Sequence, residues 1–543
     1  MECDVAIIGG GPAGATVGSL LKQLAGDLDV AIFESAKFPR DHVGESLLPT
    51  ACAILDEMGC WGKVEEKGFP IKLGAFYRWG LTPDLLPFAF LQEPFEDRTR
   101  PGVYQGQRLS TTWQVDRSVF DEVLLKHAEA LGCRVFQECA VRSIGTSGDA
   151  VSELHVESNA VPGGLVRAKH YVDASGVRGI IRKSFGVGIE SPTNLRNIAV
   201  WDYWQNADWI DRQGNGTYIR ILSLDWGWLW FITIGETRTS VGLVTSADYY
   251  KQSGLSIESL YLKAIREEPN IGPLLANATR ENAIQADKDW SYLASRLVGE
   301  NWFLAGDSCG FADPILSAGI TLAMSGARKV AYSIKELESG TLDPVWIRQE
   351  YDRTHRANIK SHIRFADYWY RSNKRFTELE EYCSEIAKDS GLTLDPKSAF
   401  QWIATGGFTD DYSDQPTVGT YKLSTVKWIV GAFTGAKPEL DFLRYRELRL
   451  NLEGATQIQT AVYREGRIKV KESYVRGETS LLIDAFYRHA FLALNAESET
   501  PKVIELMRKW IAAKLPSRNR DQALQIALEV LEAMHAQGWI KGR

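Results

Sequence analysis

The chain has 543 residues, more than one hydrophobic core usually serves, which predicts several domains. Its formal net charge is −7, so no basic excess exists to neutralise phosphates, and a general nucleic-acid partner is excluded. No apolar run reaches the length of a membrane span, and no CxxC pair occurs among the 7 cysteines. We therefore expect a cytoplasmic protein with no membrane span, no disulfide framework and no bound metal.

The N-terminal residues predict a strand, a glycine turn, a helix and a second strand that ends in an acid. The run VAII is followed at once by GGGPAG, in which Gly9, Gly11 and Gly14 fit the GxGxxG pattern. The first glycine permits the tight turn, the second lets the backbone approach a pyrophosphate, and the third lets helix and strand pack closely. Glu34 is placed to accept hydrogen bonds from a ribose. This order of elements predicts dinucleotide binding at the start of the helix.

Three later stretches resemble the FAD-contacting motifs of the flavoprotein monooxygenases with the p-hydroxybenzoate hydroxylase-like fold. They are HVGES, VDASG and FLAGDSCGFADP, and the resemblance spans residues 1 to about 340. It implies that Asp307 hydrogen-bonds the ribityl chain of FAD and that Arg117, in VDRSVFD, lies near the nucleotide. The expected FAD contacts are Gly9, Gly11, Pro12, Ala13, Gly14, Glu34, Ser35, Glu45, Ser46, Arg117, Asp173, Asp307, Pro314 and Gly319.

The sequence contains one dinucleotide fingerprint and no second GxGxxG in a strand–helix setting. NAD(P)H therefore has no dedicated domain. Two arrangements remain open: the nicotinamide nucleotide docks transiently, or a separate flavin reductase supplies reduced FAD.

The stretch WGWLWFITI places Trp228 and Trp230 two residues apart in a predicted strand, so both are expected on one face. Two ordinary core tryptophans would give the same pattern. WxWxI is also most of the WxWxIP motif of the flavin-dependent halogenases, with Thr233 where that motif has proline. The resemblance implies that the two tryptophans stand between flavin and substrate.

The stretch FADPILSAG matches the FxxPxxSxG pattern of the same family and precedes a predicted helix. Backbone N–H groups at a helix start are a natural anion site. The resemblance implies that the amides of Ala318 and Gly319 bind halide and that Ser317 belongs to the catalytic site. The same helix start could instead stabilise only the flavin pyrimidine. Leu316 occupies the position of a glutamate in the tryptophan halogenases, which argues against free tryptophan as the substrate.

A single lysine, Lys72, stands in the stretch PIKLGAFYRWG. Its distance from HVGESL resembles that of the lysine which receives hypohalous acid in halogenases of phenols and pyrroles. The chemistry needs an amine in a water-poor place, which lysine supplies on a flexible stem. The resemblance implies a catalytic set of Lys72, Trp228, Trp230 and Ser317. A surface lysine in a flavin hydroxylase is the alternative.

We expect an α/β fold in which a Rossmann-type FAD-binding domain carries an inserted, mostly antiparallel substrate sheet. The predicted core covers residues 1–360, with the substrate sheet at about 185–300. The predicted C-terminal region, residues 361–543, is mainly helical and resembles a winged-helix module, with a hairpin that turns at Glu465-Gly466. Residues 345–385 are expected to form a helix.

The resemblance implies FAD-dependent halogenation of an electron-rich aromatic ring, on a small molecule, a carrier protein or a peptide. FAD, O2 and halide are the expected cofactors, and a flavin reductase is the expected partner. A flavin-dependent hydroxylase of aromatic rings, or a flavin-binding maturation protein without turnover, remain the alternatives.

Overall fold

The computed structural model describes residues 1–78, 85–91, 94–96, 102–191, 196–209, 213–282, 284–288, 291–371, 417–418, 421–422, 440–477, 479–514, 520–536 and 538–543. The chain divides into two compact units, Met1–Phe376 and Thr377–Arg543. The boundary expected after residue 360 falls inside the helix Pro344–Arg371.

The strands of the first unit follow one another from the N-terminus to residue 311. They are β1 (Glu2–Ile8), β2 (Val30–Phe33), β3 (Ile71–Arg78), β4 (Leu86–Ala89), β5 (Thr112–Trp113), β6 (Arg134–Phe136), β7 (Ala140–Ser147), β8 (Ala150–Glu157), β9 (Leu165–Asp173), β10 (Ile189–Glu190), β11 (Asn197–Gln205), β12 (Gly216–Leu224), β13 (Gly227–Thr233), β14 (Arg238–Ser246), β15 (Thr279–Arg280), β16 (Gln285–Lys288), β17 (Tyr292–Ala294), β18 (Trp302–Leu304) and β19 (Gly310–Phe311).

The helices of this unit lie between its strands and after β19. They are α1 (Pro12–Leu24), α2 (Pro49–Glu57), α3 (Trp61–Glu65), α4 (Arg117–Ala130), α5 (Ile180–Ser184), α6 (Ala247–Ser253), α7 (Ile257–Glu267), α8 (Gly319–Ser339) and α9 (Pro344–Arg371). Short 3-10 turns cover Gly106–Leu109, Pro162–Gly164, Gly176–Arg178, Gly272–Leu275, Gly306–Ser308 and Pro314–Leu316.

The N-terminal elements form a parallel sheet in the order β6-β2-β1-β9-β18. A hairpin of β7 and β8 joins it through antiparallel pairing with β9. Val5, Ala6 and Ile7 are fully buried, as expected for a parallel strand that is covered on both faces. The Rossmann-type prediction is confirmed, and the carboxyl ends of β1, β2, β9 and β18 meet at one edge.

A second sheet runs in the order β15-β11-β14-β13-β12-β3-β4, with β16 beside β11 and β5 beside β3. Its pairs are antiparallel except β12 with β3, so the mostly antiparallel prediction is confirmed. One face packs on α7 through a core that includes Leu229, Phe231 and Tyr261. The sheet also takes in β3, β4 and β5, which precede the expected range of 185–300.

The described part of the second unit is a small α/β assembly. Its elements are β20 (Thr417–Val418), β21 (Tyr421–Lys422), β22 (Leu448–Leu450), β23 (Thr456–Arg464), β24 (Arg467–Arg476), β25 (Thr479–Leu482), α10 (Ala485–Ala496), α11 (Thr500–Lys514), α12 (Arg520–Ala536) and β26 (Ile540–Gly542). Glu465 and Gly466 have φ values of 54° and 71°, so the predicted hairpin turn is confirmed. The terminal strand β26 pairs antiparallel with β22.

Three further sequence expectations can be compared with the structure. The helix expected over 345–385 is present as α9 to Arg371, and residues 372–385 lie outside the described residues. Within the described ranges, no helix combines the length and apolarity needed to cross a membrane. The six cysteines in the part of the chain that the structure describes are all free thiols.

Candidate functional site

A cavity of about 490 Å³ lies at the carboxyl edge of the parallel sheet, against one face of the antiparallel sheet. In open α/β sheets this edge is where ligands bind. The glycine turn after β1, the end of β2 and the turn after β18 supply one side. The predicted contacts that line it are Gly9, Gly11, Pro12, Ala13, Glu34, Ser35, Glu45, Ser46, Arg117, Trp228, Trp230, Asp307, Pro314, Ser317 and Gly319.

The glycine turn has the geometry that its pattern predicted. Gly9 has a φ of +104°, and a Cβ there would lie 2.3 Å from the Ala174 carbonyl oxygen, so only glycine fits. A Cβ on Gly14 would lie 1.9 Å from the Gly9 oxygen, which explains the close packing of α1 on the turn. A Cβ on Gly11 would meet Arg40 Nη2 at 3.5 Å and nothing nearer. The free side of Gly11 therefore faces space that a pyrophosphate can occupy.

We expect Gly11→Val to weaken FAD binding on the order of 100-fold, because the added side chain fills the position of the pyrophosphate. The fold of the variant should survive, since Gly11 has an ordinary φ of −68° and room for a Cβ. Titration of FAD fluorescence measures the affinity, and thermal unfolding measures stability. Gly14→Val is the matched contrast, which should lower the stability of the FAD-free protein. Unchanged affinity in Gly11→Val would contradict the assignment.

The acid at the end of β2 is held in place by main-chain donors. The Glu34 carboxylate accepts the Gly10 N–H at 2.7 Å and the Ala36 N–H at 2.8 Å. Each oxygen keeps further acceptor capacity, since a carboxylate offers about four lone-pair sites. Glu34 is thus oriented at the cavity, where it can accept hydrogen bonds from a ribose.

Arg117 and Asp307 form the polar part of the cavity wall. Arg117 is buried, and its guanidinium donates to Asp121 Oδ1 at 2.7 Å, Asp121 Oδ2 at 2.9 Å and the Val43 carbonyl at 2.6 Å. Burial raises the pKa of Asp307 to about 6, and the positive charge of Arg117 opposes that shift. A carboxyl group at this position can hydrogen-bond a ribityl hydroxyl in either protonation state.

Asp173 is buried behind the wall and is not among the described residues that line the cavity. Its carboxylate accepts the Ser175 Oγ–H at 2.5 Å and the Ile181 N–H at 2.8 Å. The structure therefore gives Asp173 a supporting position, in which it shapes the turn at Ala174 and Ser175, and these two residues do line the cavity.

The FxxPxxSxG stretch leads into the N-terminus of α8. Ser317 has a left-handed conformation with a φ of 57°, which turns the chain into the helix. Ala318 is the N-cap of this 21-residue helix and is buried beside the cavity wall, whereas Ser317 and Gly319 line the cavity. The first N–H groups of a helix have no intrahelical acceptor and carry partial positive charge. This geometry can hold a halide ion or a carbonyl oxygen of a flavin.

Trp228 and Trp230 lie on the same face of β13, as predicted, and line the same cavity as the start of α8. Their ring centroids are 5.8 Å apart with planes tilted by 51°. The Trp230 Nε1–H donates to Ser240 Oγ at 3.0 Å, which fixes that ring. The two indoles form an apolar part of the cavity wall.

Lys72 lies in β3 and is 2% exposed. Its Nζ donates to the Leu47 carbonyl at 2.9 Å and lies 5.4 Å from the centre of the Phe90 ring. Burial lowers the pKa of Lys72 to about 7, so a neutral amine is available near neutral pH. Lys72 is not among the described residues that line the cavity, but Leu47 directly follows Glu45 and Ser46, which are.

A β-bulge turns Lys72 toward the cavity side of the sheet. Lys72 pairs with Thr217, while Gly74 pairs with the next residue of β12, so Leu73 is an extra residue. The Leu73 side chain covers Gly216, at 2.5 Å from the position of a Cβ there, on the face away from the cavity. Thr217 is two residues from Ile219, which lines the cavity, so Lys72 shares the cavity face.

Sequence reasoning missed most of the sheet residues that line the cavity. They are Ala199 and Trp201 in β11, Ile219 and Ile221 in β12, and Ile232 in β13. The signal was the alternation within IAVWDYW and GTYIRIL, which indicated strands without saying which face meets the flavin. These side chains make the sheet wall of the cavity apolar.

The donors and acceptors around the cavity fit FAD. Besides the glycine turn and Glu34, Arg40 reaches the open side of Gly11, and its buried Nη1 lies 3.5 Å from Asp121 Oδ2 without a hydrogen bond of good geometry. A pyrophosphate bound there would satisfy that donor. The parallel sheet, its nucleotide site and the facing antiparallel sheet are the arrangement expected of an FAD-dependent flavoprotein.

Comparisons with known proteins agree with this class. The family model described as "FAD binding domain" matches residues 2–366. The chain is 30% identical over 375 residues to a tryptophan 2-halogenase of Chondromyces crocatus, covering 68% of each chain. It is 31% identical over 395 residues to the 1H-pyrrole-2-carbonyl-(peptidyl-carrier protein) chlorinase of Pseudomonas fluorescens, covering 69% of this chain and 85% of that one.

Two solved structures extend the comparison. The myxobacterial chondrochloren halogenase CndH matches with a TM-score of 0.61 at 26% identity, covering 81% of this chain and 98% of its own. The flavin-dependent halogenase CmlS matches in fold with a TM-score of 0.72 at 23% identity, covering 100% of this chain and 96% of its own. The chain belongs to the flavin-dependent halogenases, which are FAD-dependent oxidoreductases.

Proposed function

We propose that this chain halogenates an electron-rich aromatic ring, and that Lys72 receives the oxidant and delivers the halogen. The observation that carries the proposal is the position of the Lys72 amine. It is buried, it is bonded to the carbonyl of Leu47 next to the cavity wall, and a bulge turns it to the cavity face. Burial lowers the pKa of Lys72 to about 7, and a strongly shifted group beside a cavity is a candidate for a functional role.

The residues of the chain divide the work between the cavity and Lys72 beside its wall. Bound reduced FAD, with oxygen and halide, would supply hypohalous acid. The helix start at Ala318 and Gly319 would hold the halide, and Trp228 and Trp230 would keep the substrate ring away from the flavin. The neutral Lys72 nitrogen attacks the halogen of the acid: an N–halogen bond forms, the oxygen–halogen bond breaks, and water leaves. The ring then takes the halogen as the nitrogen–halogen bond breaks, and the proton that the ring loses replaces the halogen on the nitrogen, which restores the amine.

The substrate that suits this site is an uncharged aromatic group with an electron-rich ring. The sheet wall offers apolar contacts through Trp201, Ile219, Ile221 and Ile232. Leu316 replaces the glutamate of the tryptophan halogenases, which disfavours free tryptophan. The relative from Pseudomonas fluorescens is described as acting on a carrier-protein-bound pyrrole, which supports a tethered substrate for this chain.

A separate flavin reductase is the proposed partner of this cytoplasmic enzyme. The motivation is the single dinucleotide fingerprint in the sequence. With FAD and NADH alone, the pure chain should oxidise NADH slowly, and an added flavin reductase should restore turnover.

The product mass in chloride and bromide buffers, with a panel of phenols and carrier-bound pyrroles, should rise by one halogen. Fast NADH oxidation by the pure chain would show that the enzyme needs no separate reductase. A product that gains oxygen without halogen would establish the hydroxylase alternative instead.

A further inference from the structure

The carboxyl group of Glu45 is buried in the cavity wall and accepts a hydrogen bond from a residue of the antiparallel sheet. It is 2% exposed, and its Oε1 accepts the hydroxyl of Tyr203 at 3.2 Å. Tyr203 lies in β11 two residues after Trp201, which lines the cavity, so both share the cavity face of that strand. The hydrogen bond therefore joins the flavin side of the cavity to its sheet side, between residues 158 positions apart.

Arg238 packs against the ring of Tyr203. Its guanidinium carbon lies 3.9 Å from the centre of the Tyr203 ring, a close cation–π contact. Nη1 of Arg238 is 2.7 Å from Asp116 Oδ2 and 3.7 Å from Asp41 Oδ1, and Nε is 3.1 Å from Glu281 Oε1. Asp41 and Asp116 belong to the flavin side, while Glu281 follows β15 of the sheet. The Arg238 guanidinium thus contacts carboxylates from both sides of the cavity.

The position of Glu45 also bears on Lys72. Glu45 precedes Leu47 by two residues, and the Leu47 carbonyl accepts the hydrogen bond from Lys72 Nζ at 2.9 Å. A displacement of the Glu45 segment would move that carbonyl, and with it the amine. Displacements of about 1 Å in a site can cost on the order of 100-fold in rate.

We propose that Tyr203 and Arg238 are positioning residues which hold the Glu45–Leu47 segment against the sheet wall, so that oxidant formed at the flavin reaches Lys72 instead of escaping to water. This inference rests on the proposed function of Lys72. Tyr203 acts through its hydroxyl on Glu45, and Arg238 acts through the Tyr203 ring and the carboxylates on both sides.

The test compares Tyr203→Phe with the wild type at saturating reduced FAD. Halogenated product formed per oxygen consumed should fall about tenfold, because a hydrogen bond to an ionisable group is lost. Oxygen consumption and FAD affinity should stay unchanged. Before FAD is added, amide hydrogen exchange in residues 41–48 should become faster. Tyr261→Phe is the matched control: it removes a buried hydroxyl from the other face of the same sheet, where Tyr261 accepts from Trp204 Nε1 at 2.8 Å. The control should keep the wild-type product ratio.

A double-variant cycle shows whether Tyr203 acts through Glu45. If Tyr203 acts through Glu45, adding Tyr203→Phe to Glu45→Leu, which has no acceptor for the tyrosine hydroxyl, should cost no more than about twofold beyond the single Glu45→Leu variant. Independent losses in the two variants would overturn the inference, as would a Tyr203→Phe protein with the wild-type product ratio or with weakened FAD binding. A wild-type protein that forms no halogenated product would instead refute the proposed function itself.

Discussion

Replacing Lys72 with alanine is expected to lower halogenated product by about a thousandfold, while FAD binding and oxygen consumption persist. In the proposed mechanism the amine accepts the halogen, and Lys72 is not among the described residues that line the cavity. Lys72→Arg should fail as well, because a guanidinium stays protonated and has no free lone pair to attack the halogen. The two variants together separate a need for positive charge from a need for a neutral amine.

The measurement is product mass and oxygen uptake on the same samples, with reduced FAD supplied by a reductase. Lys126→Ala is the control, because its side chain is 67% exposed and pairs only with Glu122 on the surface of α4 in the part of the chain described. It should behave as the wild type. Halogenated product from Lys72→Ala at more than a few per cent of the wild-type amount would place the halogen transfer elsewhere.

Lys72→Met is expected to stabilise the protein near neutral pH while removing its activity. Burial lowers the folded-state pKa of Lys72 from 10.5 to about 7, so between these values the unfolded chain holds a proton that the folded chain has released. Stability must then rise with pH across this window, by about 1.4 kcal/mol per pH unit for one proton. Below pH 7 the full penalty applies, on the order of 5 kcal/mol. Methionine keeps the apolar length of the side chain and has no proton to lose.

Unfolding of both proteins should be followed by heat or denaturant at several pH values from 6 to 10. The advantage of Lys72→Met over the wild type should be largest at the acidic end and should shrink as the pH rises toward 10. Other titrating groups are common to both proteins, so the difference isolates Lys72. A difference that is constant with pH would mean that the buried amine carries no such penalty.

The nucleotide end of the site could be predicted almost entirely from the sequence. The turn at Gly9, Gly11 and Gly14 depends on backbone geometry that neighbouring residues impose, and those neighbours are close in sequence. The shared face of Trp228 and Trp230 also follows from strand periodicity. The prediction that Asp173 contacts FAD stays a prediction, and the hydrogen bond from Ser175 to its carboxylate is a contact that the sequence does not reveal.

Long-range pairing explains what sequence reasoning missed. Tyr203 reaches Glu45 across 158 residues, and Arg238 reaches Asp116 across 122 residues. Strand β3 joins the substrate sheet because it pairs with β12, far along the chain. Its charged residues and its glycine are not typical of a strand, so the local sequence does not indicate one. Patterns within a strand predict its faces, but they do not identify its partner or the residues that the partner brings.

The bulge at Leu73 separates the direction in which Lys72 faces from the residue count of its strand. Sheet registers shift in whole residues, and each single step exchanges the two faces of a strand. In a regular register Leu73 would stand opposite Thr217, and Lys72 would fall opposite Gly216 on the face away from the cavity. Because Leu73 is outside the pairing, Lys72 keeps Thr217 as its partner, and deletion of Leu73 alone would leave Lys72 opposite Thr217 and Gly74 opposite Tyr218. In the ancestry of such a chain, a one-residue insertion or deletion ahead of Gly74 can therefore leave the reaction intact while the spacing between the lysine and the later motifs changes.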